Sequence, residues 1–176
     1  AAAPAAQVGR TYLEAAASLA GATPRFTDKR PFNLIFAGLI SRSLPNARIL
    51  RMRRRPADTV LGNYRQFFAS GSAFHDYAYD LEDRARYIAG LEALSAAWER
   101  LLPPDRYRVI DYEALVADPE GQIRAVLDFC GLPFDPACLD FHRNAAGVST
   151  ASAVQVREPL HDRNIGLWRR YGPGFE

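Results

Sequence analysis

Lysine is almost missing from this chain. Of 22 lysines and arginines in 176 residues, Lys29 is the one lysine. Cysteine is scarce as well: Cys130 and Cys138 are too few for a disulfide framework at this length. Together with the nearby His142 they match no zinc template, so they read as buried free thiols in a reducing cytoplasm, with no metal. No apolar run is long enough to span a bilayer; the longest, Phe32 to Ile40, contains Asn33 and Gly38. The first residues, Ala1-Ala2-Ala3-Pro4-Ala5-Ala6, have no initiator methionine and no basic segment before an apolar core. They read as the start of a trimmed or partial chain without a signal peptide. Familiar catalytic signatures are missing too. There is no Gly-x-Ser-x-Gly, no His-Glu-x-x-His and no complete Gly-x-x-x-x-Gly-Lys-Ser/Thr loop. His75, His142 and His161 have no partner at a telling spacing and read as ordinary surface or core histidines.

What is present is globular. Hydrophobic residues make up 48% and charged residues 24%, enough for one domain spanning 1–176 with its own core. A net charge of +2 demands no nucleic acid. The alanine-rich start has helical character through residue 20, closed by Gly21 and Pro24. Arg25-Phe26-Thr27 reads as a short strand. Apolar residues at 32, 35, 36, 39 and 40 predict a helix over 32–42 with Pro31 near its start. Residues 47–52 are the best strand, and Pro56 suits the first turn of a helix reaching Phe68. The segment 69–79 reads as a loop packed on the long helix that follows rather than an acceptor cleft. Asp80 caps that helix, Leu81 to Leu102, which Pro103-Pro104 ends. A strand over 107–110, a helix from Pro119 to Cys130 closed by Gly131, and a mostly looped remainder with short helices complete the order. Strands alternating with helices predict an α/β domain with a parallel sheet covered on both faces.

In such sheets ligands sit beyond the carboxyl ends of the strands. The strand over 25–27 would deliver Lys29, a compact point charge suited to a phosphate or sulfate oxygen. The strand over 47–52 would deliver Arg53, Arg54 and Arg55 to a helix start at Pro56, the composition of a phosphate pocket. The third end delivers Tyr112. Three consecutive arginines also fit a plain solvated patch; a nucleic-acid footprint lacks its interleaved aromatics. Gly62 lies inside the helix after Pro56, where glycine costs about 1 kcal/mol relative to alanine. It marks either a close approach or mere tolerance.

Several segments, in order, resemble the sulfotransferase family. They are Asp28-Lys29-Arg30-Pro31-Phe32-Asn33 with Gly38-Leu39-Ile40, Arg53-Arg54-Arg55-Pro56-Ala57-Asp58-Thr59, and Tyr112-Glu113-Ala114-Leu115-Val116. Phe129-Cys130-Gly131-Leu132-Pro133, Thr150-Ala151-Ser152 with Gln155-Val156-Arg157, and Trp168-Arg169-Arg170-Tyr171 complete the set. The likeness covers Tyr12 to Tyr171 and is to the bacterial branch often fused to tetratricopeptide repeats, related to tyrosylprotein sulfotransferases. It implies a three-layer α/β fold, a parallel sheet flanked by helices as in P-loop nucleotide kinases. It also implies sulfuryl transfer from 3′-phosphoadenosine-5′-phosphosulfate to a hydroxyl or amine on a small-molecule or peptide acceptor. By motif, Arg54 would bind the 3′-phosphate and Tyr112 the nucleotide. Lys29 and Ser152 would stabilise charge on the transferring group, and Gln155 and Arg157 would belong to a loop over the cofactor.

The departures are informative. The family's second 3′-phosphate ligand, a serine eight residues beyond the arginine, falls on Gly62. The basic residue often preceding the tryptophan is Leu167. The first strand and its Arg-Ser-Gly-Thr-Thr-like loop, which cradles the 5′-phosphosulfate, do not occur in the chain. The expectation is therefore a truncated sulfotransferase; the alternative is a non-catalytic remnant serving as a nucleotide-binding or interaction module.

Overall fold

The computed structural model describes residues 4–65, 77, 79–144 and 155–172. The chain forms two compact units, residues 1–51 with 90–109, and residues 52–89 with 110–176. The elements are helix-rich: α1 (Ala5–Ala20), α2 (Ala37–Ser43), β1 (Ile49–Arg53), α3 (Pro56–Tyr64), α4 (Leu81–Leu101), β2 (Tyr107–Asp111), α5 (Tyr112–Ala117) and α6 (Pro119–Phe129). Short 3-10 turns occupy Pro31–Leu34, Pro136–Cys138, Phe141–Arg143, Gln155–Arg157 and Leu167–Tyr171. Among the described residues the sheet has two strands, β1 beside β2. Ile49 N donates to Arg106 O at 2.8 Å at their first ends, and the Arg53 side chain meets Asp111 at their last. Strand starts pair with starts and ends with ends, so the pair is parallel.

In the first unit, α1 packs on α2 through Gly9, where a side-chain carbon would collide with the Ser43 carbonyl. Ala37 and Tyr107 are its buried apolar residues. Arg106 closes the end of α2, its guanidinium donating to the carbonyls of Ser41 (2.8 Å) and Leu44 (2.6 Å). Those are the carbonyls a helix terminus leaves unpaired. The expected strand over 25–27 does not form. The Thr23 hydroxyl bonds Ala20 O and Arg25 O in a local turn, Phe26 stacks on Tyr12, and Asp28 accepts from the Tyr12 hydroxyl. This segment lies on α1 through side chains instead of pairing its backbone. The helix expected over 32–42 is interrupted: the 3-10 turn ends at Leu34 and α2 begins at Ala37, with Phe36 at φ −98°, ψ 8° between them.

In the second unit Val60, Leu61, Ile88 and Ile110 are buried. Asp80 caps α4 as expected, its Oδ1 accepting from Glu82 N (2.8 Å) and Asp83 N (3.0 Å). Asp118 caps α6 by accepting from Gly121 N. Gly131 closes α6 at φ 63°, and Leu132 N reaches back to Leu127 O at 2.8 Å. α5, which the sequence reading did not separate, packs on α6. Cys130 and Cys138 form no disulfide and are half-buried, more open than expected. Among the described residues no group of three histidines, cysteines or carboxylates converges as metal ligands, and no helix is long and apolar enough to cross a membrane.

Candidate functional site

The three arginines at the end of β1 and just past it diverge within the second unit. Arg53 forks onto Asp111, Nε to Oδ1 at 2.8 Å and Nη2 to Oδ2 at 3.2 Å, a bidentate pair across the strand ends. At Arg55 the backbone N–H donates to Glu113 Oε1 at 3.1 Å, and the residue is exposed. Arg54 faces a cleft of about 310 Å³ lined also by Met52, Tyr112, Pro159, Leu160, His161 and Asn164. Its guanidinium lies 5.2 Å from the centre of the Tyr112 ring, a cation–π contact. One nitrogen, Nη2, donates to the Asn164 carbonyl. Another, Nε, is buried and has no hydrogen-bond partner among the described residues.

Beside it, Gly62 lies on α3. A side-chain carbon there would sit 3.6 Å from Arg54 Nη1, ordinary contact distance. Position 62 thus faces the same guanidinium. At His161, Nδ1 is buried without a partner among the described residues, while Nε2 lies 3.6 Å from Glu158 Oε2. That carboxylate also pairs with Arg163. Buried donors are nearly always satisfied. A guanidinium beside an aromatic face on one cleft matches a ligand that supplies anionic oxygens.

The far wall is held by Asp58 in the first turn of α3. It is 1% exposed and accepts from Gly166 N (2.7 Å) and Trp168 N (3.4 Å), tying the Leu167–Tyr171 turn to α3. This carboxylate anchors Gly166, two residues beyond Asn164, to α3.

Of the residues singled out in the sequence, Arg54, Gly62 and Tyr112 come together here. Lys29 belongs to the first unit and is exposed. Gln155 and Arg157 bound a 3-10 turn of the second unit, with Arg157 exposed. Ser152 lies outside the described residues. The sequence reading missed Asp58, Asn164 and His161. Asp58 had a signal, standing two residues after a helix-opening proline; the other two had none beyond proximity to Glu158.

Residues 2–136 match the family model described as "Sulfotransferase family". The chain belongs to the sulfotransferase family. It is 34% identical over 160 residues to an uncharacterized protein of Aquifex aeolicus (strain VF5), covering 91% of this chain and 21% of that protein. The chain thus spans about a fifth of that relative's length. Among solved structures it is similar to the sulfotransferase domain from the curacin biosynthetic pathway. The TM-score is 0.56 at 19% identity, over 85% of this chain and 52% of that one, a likeness of fold.

Proposed function

We propose that this chain is part of a sulfotransferase that uses 3′-phosphoadenosine-5′-phosphosulfate, and that the Arg54 cleft receives the donor's 3′-phosphate. The observation that carries this reading is the Arg54 guanidinium, which lines the cleft beside the Tyr112 ring. Residues at the site fit such a group: a fixed fork binds phosphate oxygens while the Tyr112 ring borders the nucleoside. Family membership makes sulfuryl transfer the general chemistry. Acceptors are hydroxyls or amines on small molecules or peptides.

In the complete enzyme Lys29 and Ser152 hold negative charge on the transferring group, and Gln155 and Arg157 border the donor. Further strands and the 5′-phosphosulfate loop come from chain beyond this segment, giving the three-layer sheet. An upstream tetratricopeptide region and the link to tyrosylprotein sulfotransferases belong to the same reading, as do a bacterial source and a cytoplasmic setting.

The test compares two ligands by calorimetry, 3′,5′-adenosine bisphosphate and 5′-adenosine monophosphate. The bisphosphate should bind at least about tenfold more tightly, the worth of one good charge-assisted contact. Equal affinities would remove the 3′-phosphate from the cleft.

A further inference from the structure

Asp58 is 1% exposed and stands three positions after Arg55, the residue that opens α3. A carboxylate there can close a helix start by accepting the N–H of the opening residue. Here that N–H, on Arg55, donates to Glu113 Oε1 at 3.1 Å, and Asp58 reaches outward instead. Its Oδ2 accepts from Gly166 N at 2.7 Å and its Oδ1 from Trp168 N at 3.4 Å, 108 and 110 positions along the chain. The tie is long-range and lies wholly within the second unit. Gly166, at φ 70° and ψ 14°, occupies the left-handed region that glycine enters without steric cost, and its carbonyl accepts from Arg169 N to begin the following turn.

Two residues before Gly166, the Asn164 carbonyl accepts from Arg54 Nη2, and Asn164 lines the cleft. The Arg54 guanidinium is thus held at two points, by the Tyr112 ring on its face and by this carbonyl. The carbonyl is a main-chain atom, so its position follows the path of the backbone, which Asp58 ties down two residues further on. We infer that Asp58 is a positioning residue for the 3′-phosphate. By anchoring Gly166 and Trp168 it places the Asn164 carbonyl, and through that carbonyl the Arg54 fork. This rests on the bisphosphate reading of the cleft. A fork that is already oriented loses less rotamer freedom on binding. The gain belongs to the 3′-phosphate that meets Arg54, and a nucleotide without that group does not draw on it.

The experiment is calorimetric titration of wild type and Asp58→Asn, each with 3′,5′-adenosine bisphosphate and with 5′-adenosine monophosphate. The substitution keeps the size of the side chain and removes the charge that the two backbone N–H groups meet. Wild type should bind the bisphosphate at least about tenfold more tightly than the monophosphate. In Asp58→Asn that ratio should fall at least about fivefold, with monophosphate affinity unchanged. A ratio preserved in folded Asp58→Asn, or a loss shared equally by both ligands, would overturn the assignment and leave the bisphosphate reading standing. Equal affinities in wild type, or no binding by folded wild type, would overturn both. Amide hydrogen exchange on wild type decides the matter even where the variant does not fold. The Gly166 and Trp168 N–H groups should exchange more slowly with saturating bisphosphate than with saturating monophosphate. The same exchange with both ligands would overturn the assignment.

Discussion

Arg84 is fully buried on α4, and none of its three guanidinium nitrogens has a hydrogen-bond partner among the described residues. Tyr64 lies 5.3 Å from it as a cation–π neighbour. Burial pushes the guanidinium pKa down, with Tyr77 and Tyr64 acting against that. A buried cation that meets no carboxylate among the described residues is a net cost, and apolar replacements of similar volume are often stabilising. Arg84→Met should therefore raise the thermal midpoint, by about 2–4 °C for each kcal/mol recovered. A lowered midpoint would show that the charge is compensated. Gly62 supports a prediction of opposite character. With room 3.6 Å from Arg54 Nη1, Gly62→Ser should tighten 3′,5′-adenosine bisphosphate about fivefold, the value of one added hydrogen bond. No change would mean that the phosphate does not reach α3. Arg54 was legible from sequence because a strand end, an arginine and a helix-opening proline are local signals. His161 was not, because the segment that carries it is anchored by Asp58, more than a hundred positions away.

At the scale of elements, the break between the 3-10 turn and α2 has a specific cause. The Leu34 carbonyl accepts the Trp98 indole N–H at 2.9 Å, and the Trp98 ring lies over Gly38. A side-chain carbon at position 38 would stand 2.8 Å from the ring, which the indole hydrogen bond holds in place. Gly38→Ala should destabilise the chain by about 1–3 kcal/mol through overpacking, read as a lower urea midpoint. A neutral result would mean that the indole shifts freely. Periodicity over 32–42 predicted a single helix because it counts apolar positions and cannot see a tryptophan 60 residues on. The failure at 25–27 is of the same kind: Phe26 and Asp28 are committed to Tyr12. Caps and the strands over 47–52 and 107–110 fared better. Asp80, Asp118 and Gly131 act within a few residues of themselves, and β1 and β2 alternate or bury apolar groups over five residues.

For the molecule as a whole, the buried Tyr107 and the half-buried Tyr77 and Tyr87 set an alkaline limit. Burial raises the pKa of Tyr107, with the Ser95 hydrogen bond at 3.1 Å opposing, and burial likewise raises Tyr77 and Tyr87. A raised folded-state pKa means that the unfolded chain ionises first. The contribution is complete below the ordinary tyrosine value of about 10 and is lost as pH rises through the folded values. Urea midpoints should fall above about pH 10, and Tyr107→Phe should lessen that fall; an unchanged slope would assign the loss elsewhere. The family match and the cleft meet in one claim, that Arg54 binds the donor's 3′-phosphate. The most direct test is calorimetric titration of 3′,5′-adenosine bisphosphate into the chain and into Arg54→Ala, with folding verified by circular dichroism. Micromolar binding that weakens by about a hundredfold or more in the variant is the predicted result, as expected for a charge-assisted pair lost from a partly buried site. Equal binding by both proteins, or none by the folded wild type, would contradict it.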